Sequence, residues 1–298
     1  MVRTGGGYGV VSRLFCPDYT THPMMPSSHL SSIKNSPRFC RPGLNTRNVR
    51  CEEEKREHRD IALALDFDGV IFKNAAAMEQ VSVNASEFAK MKLTASGYDG
   101  NVSEILNRKY YSSFGHSTDL INRISRTPNS TTATIGEYNS FVFEDNLNYE
   151  YIASCVDDND IDLGAQWRDL IERCRDSGID VFVFSNSPTS WCLNVASAIG
   201  LRNVIHENMC ICTDNLGGFW KPQAEAFSIA KEKIAGDTIF FVDDSMVNVT
   251  CSLAFPGWRP ILFSDNFTEL GVSDSLSTAS SVAHLSEFID IATTTGNT

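Results

Sequence analysis

A chain of 298 residues, 42% hydrophobic and 21% charged, has enough apolar material for a large packed domain, which excludes a small stapled scaffold and a wholly disordered chain. Its formal charge of −12 argues against a nucleic-acid polymer as partner, and no apolar run approaches the roughly 18 residues of a membrane span. The 9 cysteines are scattered without the paired spacing of a zinc site and fit a reducing compartment.

Charge is unevenly placed. Residues 1–50 hold seven basic side chains against Asp18 alone, a net +6 that leaves −18 on the remainder. The segment is rich in Ser, Pro and Gly and lacks a sustained hydrophobic period. Residues 1–59 are therefore expected to form a disordered extension with the composition of a plastid or mitochondrial transit peptide; an untargeted tail on a cytoplasmic protein is the alternative. Its last part, residues 51–59, reads as a solvated linker or the first turn of a helix.

Regular structure is predicted from Ile61 onward. Short apolar runs at 61–65, 181–184, 239–242 and 260–263 have the character of parallel strands covered on both faces. Between them lie helical patterns at 166–177, 191–199 and 223–234, each closed near a glycine (Gly178, Gly200, Gly236). This βαβα alternation predicts an α/β fold with a doubly wound parallel sheet, built from residues 60–72 and 165–298. Residues 73–164 lack the strand rhythm and read as an inserted, mostly helical module, loop-rich at 125–145. Cys210 and Cys212 have the alternation of a strand, and His22, His29, His58, His116, His206 and His284 show no ligand spacing, so solvated or core imidazoles are expected.

Four groups of reactive side chains fall where the strands end, the place where open α/β sheets bind ligands. Asp66 and Asp68 follow the first run and project to one side of an extended chain. Carboxylates so close repel, so they call for a cation or a shared proton unless they are only turn residues. Ser185 and Asn186 follow the second run and could offer a hydroxyl, an amide and backbone N–H groups to a phosphoryl oxygen, or Ser185 could simply cap a helix. Lys221 supplies a cation just before a helix, and Asp243 and Asp244, with Asn248 nearby, suit a hard cation that takes oxygen ligands.

The order and spacing of Asp66-Phe67-Asp68-Gly69, Ser185, Lys221 and Asp243-Asp244 resemble the haloacid dehalogenase (HAD) superfamily of aspartate-nucleophile phosphotransferases, from about Ile61 to the C-terminus. The resemblance implies a HAD-like Rossmannoid core, Asp66 as the phosphorylated nucleophile and Asp68 as the acid and base. It also implies phosphoryl binding at Ser185, Asn186 and Lys221, and Mg²⁺ held by Asp66, Asp68, Asp243 and Asp244. With 116 residues between Asp68 and Ser185 but 35 between Ser185 and Lys221, the insertion resembles a cap of the first type. Segments 107–115 and 149–158 are similar to cap segments of the pyrimidine 5′-nucleotidase family. Tyr110, Tyr111 and Phe114 read either as faces that stack a base or as a helical core stripe. The expected partner is a small phosphomonoester; no pattern speaks to oligomeric state. Sugar-phosphate or phosphoglycolate phosphatases and phosphomutases would share these core residues, and a non-catalytic regulator with the same fold is the alternative of another class.

Overall fold

The computed structural model describes residues 61–98, 100, 116–125, 133–234, 236–264 and 276–295, all within one compact unit, Arg56–Thr298. The expected N-terminal extension and the cap aromatics Tyr110, Tyr111 and Phe114 lie outside the described residues.

Six strands, β1 (Ile61–Leu65), β2 (Asp180–Phe184), β3 (Cys210–Ile211), β4 (Thr238–Asp243), β5 (Trp258–Phe263) and β6 (Ser277–Ala279), form one sheet in the order β3-β2-β1-β4-β5-β6. Every pairing is parallel. Parallel neighbours need crossovers, and helices supply them on both faces. Residue alternation along β1 shows the two faces directly. Leu63 and Leu65 enter one core with Trp167, Ile171 and Trp191, whereas Ala62 and Ala64 enter the other with Phe184, Phe227, Phe241 and Trp258. Alanine suits the second face because aromatic rings fill the space above it, with Phe184 and Phe227 centred 5.7 and 5.6 Å from Phe241.

The chain leaves β1 toward β2 and β3 on one side and returns to β4, β5 and β6 on the other. Its winding therefore reverses between β1 and β4. At such a switch point the crossovers diverge, and a crevice opens beyond the carboxyl ends of the two strands.

The described helices are α1 (Ala75–Ala95), α2 (Ser117–Ser125), α3 (Ile135–Asn139), α4 (Tyr149–Cys155), α5 (Asp158–Asp176), α6 (Thr189–Ala198), α7 (Ala224–Lys233), α8 (Met246–Ser252) and α9 (Val282–Thr295). Three features depart from the sequence expectation. α5 starts at Asp158 rather than 166, because Asp157 accepts from the backbone N–H groups of Asn159 and Asp160 while the Asp160 carboxylate accepts from that of Asp157. Residues 135–144 are helical rather than loop, since Thr134 and Glu137 form a capping box and α3 runs into a π-helical turn, Ser140–Glu144. Asn84 on α1 donates to the Val142 carbonyl of that turn at 3.0 Å. Finally β6, α8 and α9 had no sequence counterpart among the expected elements, whereas β3 lies where Cys210 and Cys212 alternate.

Candidate active site

Asp66 leaves β1 one residue past its end, and its N–H still donates to Val242 of β4 at 2.8 Å. That rung sets Asp66 beside Asp243, the last residue of β4, across the switch point. Two adjacent carboxylates would repel, and a single buried cation holds them together. Lys221 Nζ lies 2.9 Å from Asp66 Oδ1 and 2.7 Å from Asp243 Oδ2, with its side chain wholly buried. Its ammonium also sits 5.2 and 5.4 Å from the Phe184 and Phe241 ring centroids. Burial alone would lower the lysine pKa, but Asp243 and Asp66 outweigh it, so the net shift is upward and the cation is permanent.

The backbone of Lys221 is clamped. The Asn186 side chain donates to its carbonyl at 2.9 Å and accepts from its N–H at 2.8 Å. Of the groups that Asn186 could offer a phosphoryl oxygen, the side-chain amide is engaged in bracing the lysine. Ser185 is buried, and its Oγ accepts from the Ser187 N–H at 3.1 Å. Asp243 is saturated as well, accepting from Lys221, from the Ser245 N–H at 2.8 Å and from Asn248 Nδ2 at 3.1 Å to each oxygen.

Asp66, Asp243 and Asp244 bring carboxylate oxygens within 4.8 Å of one another. Three negative charges against Lys221 leave two uncompensated, which is the charge of one divalent ion. The all-oxygen donor set suits Mg²⁺. Burial, followed by repulsion from Asp243, pushes the Asp66 carboxyl well above the ordinary range. The same two causes bring Asp244 up to about 6, although its side chain keeps contact with solvent. Carboxyls so placed hold protons unless a cation replaces them. Gly69 makes room for this arrangement: a Cβ there would stand 2.1 Å from Asp244 Oδ2, and its φ of +84° favours glycine.

The Asp68 side chain stands outside the cluster of Asp66, Asp243 and Asp244 carboxylates. One oxygen, Oδ2, accepts from the Ser187 hydroxyl, and Oδ1 accepts from the indole Nε1 of Trp191 at 2.9 Å. Burial raises its pKa, and these two hydrogen bonds oppose the shift. Asp68 and Asp244 border a cavity of about 330 Å³ whose other walls include Met78, Val81, His116, Tyr138 and Phe143 from the helical region between β1 and β2. That volume lies at the low end of small-molecule sites, roughly 300–1,000 Å³.

Sequence reasoning missed Ser187, Trp191 and His116. His116 is a buried imidazole, as its type suggested, yet it also lines the cavity. Its ring packs 4.6 Å from Tyr138 and 5.2 Å from Trp220. Burial drives its pKa down to about 3, so it is neutral. Because the Thr118 N–H donates to Nδ1 at 3.2 Å, the ring proton resides on Nε2. A buried indole N–H normally seeks an acceptor, which was the available signal for Trp191.

No protein-family profile and no curated protein matches the chain. Among similar solved structures is CbbY from Rhodobacter sphaeroides in complex with xylulose-(1,5)bisphosphate, 15% identical and covering 75% of this chain and 95% of its own, with a TM-score of 0.46. A HAD family hydrolase from Deinococcus radiodurans with bound phosphate and sodium is 14% identical over 80% of this chain and 98% of its own, with a TM-score of 0.44. The HAD-hydrolase YfnB from Bacillus subtilis bound to magnesium is 13% identical over 78% and 99%, with a TM-score of 0.43.

Proposed function

We propose that the protein is a Mg²⁺-dependent phosphomonoesterase that works through an aspartyl-phosphate on Asp66. The observation that carries this reading is the lysine-bridged pair of Asp66 and Asp243 at the switch point, with a separately held carboxyl, Asp68, two residues on, bordering a cavity together with Asp244. Asp66 Oδ1 accepts from the Phe67 N–H at 2.7 Å and from Lys221, which leaves Oδ2 for attack on phosphorus. As the Asp66–phosphorus bond forms, the ester P–O bond breaks, and Asp68 gives its proton to the leaving oxygen. Asp68, now a carboxylate, takes a proton from a water whose oxygen attacks the phosphoryl group. The Asp66–phosphorus bond then breaks, releasing inorganic phosphate and restoring both carboxyls. Lys221 opposes the upward shift of the Asp66 carboxyl and offsets the charge of the incoming dianion. Asp66, Asp244 and the Asp243 group would hold Mg²⁺, which would supply the remaining positive charge that an anionic nucleophile needs to approach an anionic ester.

We further propose a pyrimidine nucleoside 5′-monophosphate as substrate. The similarity of segments 107–115 and 149–158 to the nucleotidase cap supports it. So does the cavity, with aromatic walls and a neutral imidazole suited to an uncharged ring. The Arg-rich N-terminal segment supports delivery to an organelle, which a reporter fusion would test. Phosphate release from a panel of monoesters, with EDTA and Mg²⁺ add-back, tests the activity. UMP and CMP should exceed AMP in kcat/KM. Preference for phosphoglycolate or a hexose phosphate would overturn the substrate, and no turnover of any ester with Mg²⁺ would favour the non-catalytic alternative.

A further inference from the structure

Of the four tryptophans, Trp220 is half-buried and Trp167, Trp191 and Trp258 are buried, and the indole N–H groups of these three are treated differently. Those of Trp167 and Trp258 have no hydrogen-bond partner among the described residues, so these residues serve there as apolar volume. The N–H of Trp191, equally buried, is spent on a carboxylate 123 positions away in sequence, Asp68 Oδ1. We infer that Trp191, together with Ser187, is a positioning residue for the proton-transfer step, holding the Asp68 carboxyl in one orientation against the leaving group.

Each oxygen of Asp68 has its own donor, Trp191 Nε1 on Oδ1 and Ser187 Oγ on Oδ2. Rotation of the carboxyl about its Cβ–Cγ bond would break both bonds. An indole N–H can only donate, so the oxygen it holds remains an acceptor. The donors are themselves fixed. Trp191 sits in the first turn of α6, which is anchored where Thr189 donates through its N–H and hydroxyl to Asp214 Oδ1, both at 3.0 Å. The indole packs edge-on 6.1 Å from Phe72, in the segment following β1, and 5.4 Å from Phe143, in the π-helical turn of the inserted region. Trp191 thus joins a side chain of the inserted helices to the acid of the crevice, and the packing of Phe143 bears on the orientation of Asp68.

The inference rests on the reading of Asp68 as general acid, and leaving-group chemistry separates the two. A nucleotide or alkyl phosphate expels an alkoxide that must be protonated as it departs. p-Nitrophenyl phosphate expels a stable phenolate that needs no proton. Because kcat/KM reports events up to departure of the leaving group, it isolates this step from later hydrolysis of the phosphoenzyme. Trp191→Phe keeps an aromatic ring and removes the N–H. It should lower kcat/KM for UMP, or for an alkyl phosphate if UMP is not turned over, by about 10- to 100-fold, the scale of a misoriented catalytic group. The loss for p-nitrophenyl phosphate should be at least about tenfold smaller. Ser187→Ala should show the same asymmetry more weakly, and it answers the question if Trp191→Phe does not fold. Equal losses for both esters, or none, in the folded variants would overturn the positioning role. Asp68→Asn, measured alongside, should show the asymmetry most strongly. If it did not, the general-acid reading itself would fall, a result distinct from asymmetry in Asp68→Asn that is missing from the other two variants.

Discussion

The crevice at the strand ends and the cavity beside it differ in how their side chains are held. In the crevice Asp66, Asp243 and Lys221 are ionisable and buried, Asp68 is half-buried, and all four are fixed by hydrogen bonds or ion pairs to partners on other elements. The inserted helices contribute Met78, Val81, His116, Tyr138 and Phe143, which are apolar, aromatic or neutral and are held mainly by ring packing. Under the proposed function, the difference separates two tasks. Charge placed on strand ends can act on a phosphoryl group whatever alcohol carries it, and a neutral pocket can discriminate among alcohols without disturbing the charge balance.

The most severe way to break this arrangement is at the proposed nucleophile. Asp66→Asn should abolish turnover of every ester, a loss of about 10⁴-fold or more, because the amide cannot form the covalent bond. Circular dichroism and melting should show an intact fold, and comparable loss for p-nitrophenyl phosphate and UMP would confirm that the crevice acts independently of the alcohol.

Removing the bridging cation attacks stability as well as activity. Lys221→Met leaves Asp66 and Asp243 buried and adjacent without compensation, and loss of one partner from such a cluster costs about 3–5 kcal/mol. Urea denaturation should show this at neutral pH, with a smaller deficit under acid conditions that protonate the pair.

The metal should act on the crevice in a pH-dependent way. Asp244 has a folded-state pKa of about 6 against 3.8 for the free side chain, so the metal-free folded state binds more protons in that window. Its contribution to stability is present below the lower value and is lost as pH rises through about 6. Asp66 is shifted in the same direction. Under the proposed ligation Mg²⁺ would replace those protons, so the stabilisation it gives in thermal melts should be largest near pH 8 and shrink toward pH 5, reaching about 2.7 kcal/mol at a hundredfold excess over Kd. A shift that grew toward pH 5 would contradict carboxylate ligation.

The smallest effect belongs to the cavity. His116→Phe preserves a flat ring and removes the Nε2–H donor. A single neutral hydrogen bond contributes about 0.5–1.5 kcal/mol, so kcat/KM for UMP should fall by up to about tenfold. p-Nitrophenyl phosphate should be affected less.

The crevice was more legible in the sequence than the cavity for a physical reason. Asp66-Phe67-Asp68 and Asp243-Asp244 are contiguous and follow apolar runs that the structure places as neighbouring parallel strands. Their convergence follows from topology alone. The roles of Ser187 and Trp191 depend on Asp68 lying 119 and 123 positions away, and no local pattern encodes those pairs. Asn186 was placed at the site but its side chain braces Lys221, a distinction set by three-dimensional packing. α5 was recognised by its apolar stripe, whereas its true start lay in an Asp157–Asp160 capping pair outside that stripe. β6 is three residues long, too short for periodicity to register.

The central claim is covalent chemistry at Asp66, and trapping the intermediate tests it most directly. Protein mixed with a rapidly hydrolysed monoester and Mg²⁺ would be quenched in acid, reduced with borohydride and mapped by peptide mass spectrometry. An acyl phosphate is reduced to the alcohol, so the account predicts homoserine at position 66, dependent on substrate and absent in Asp66→Asn. Phosphate label on Ser185, or turnover with no modified residue at 66 under conditions that trap a known aspartyl-phosphate, would contradict it.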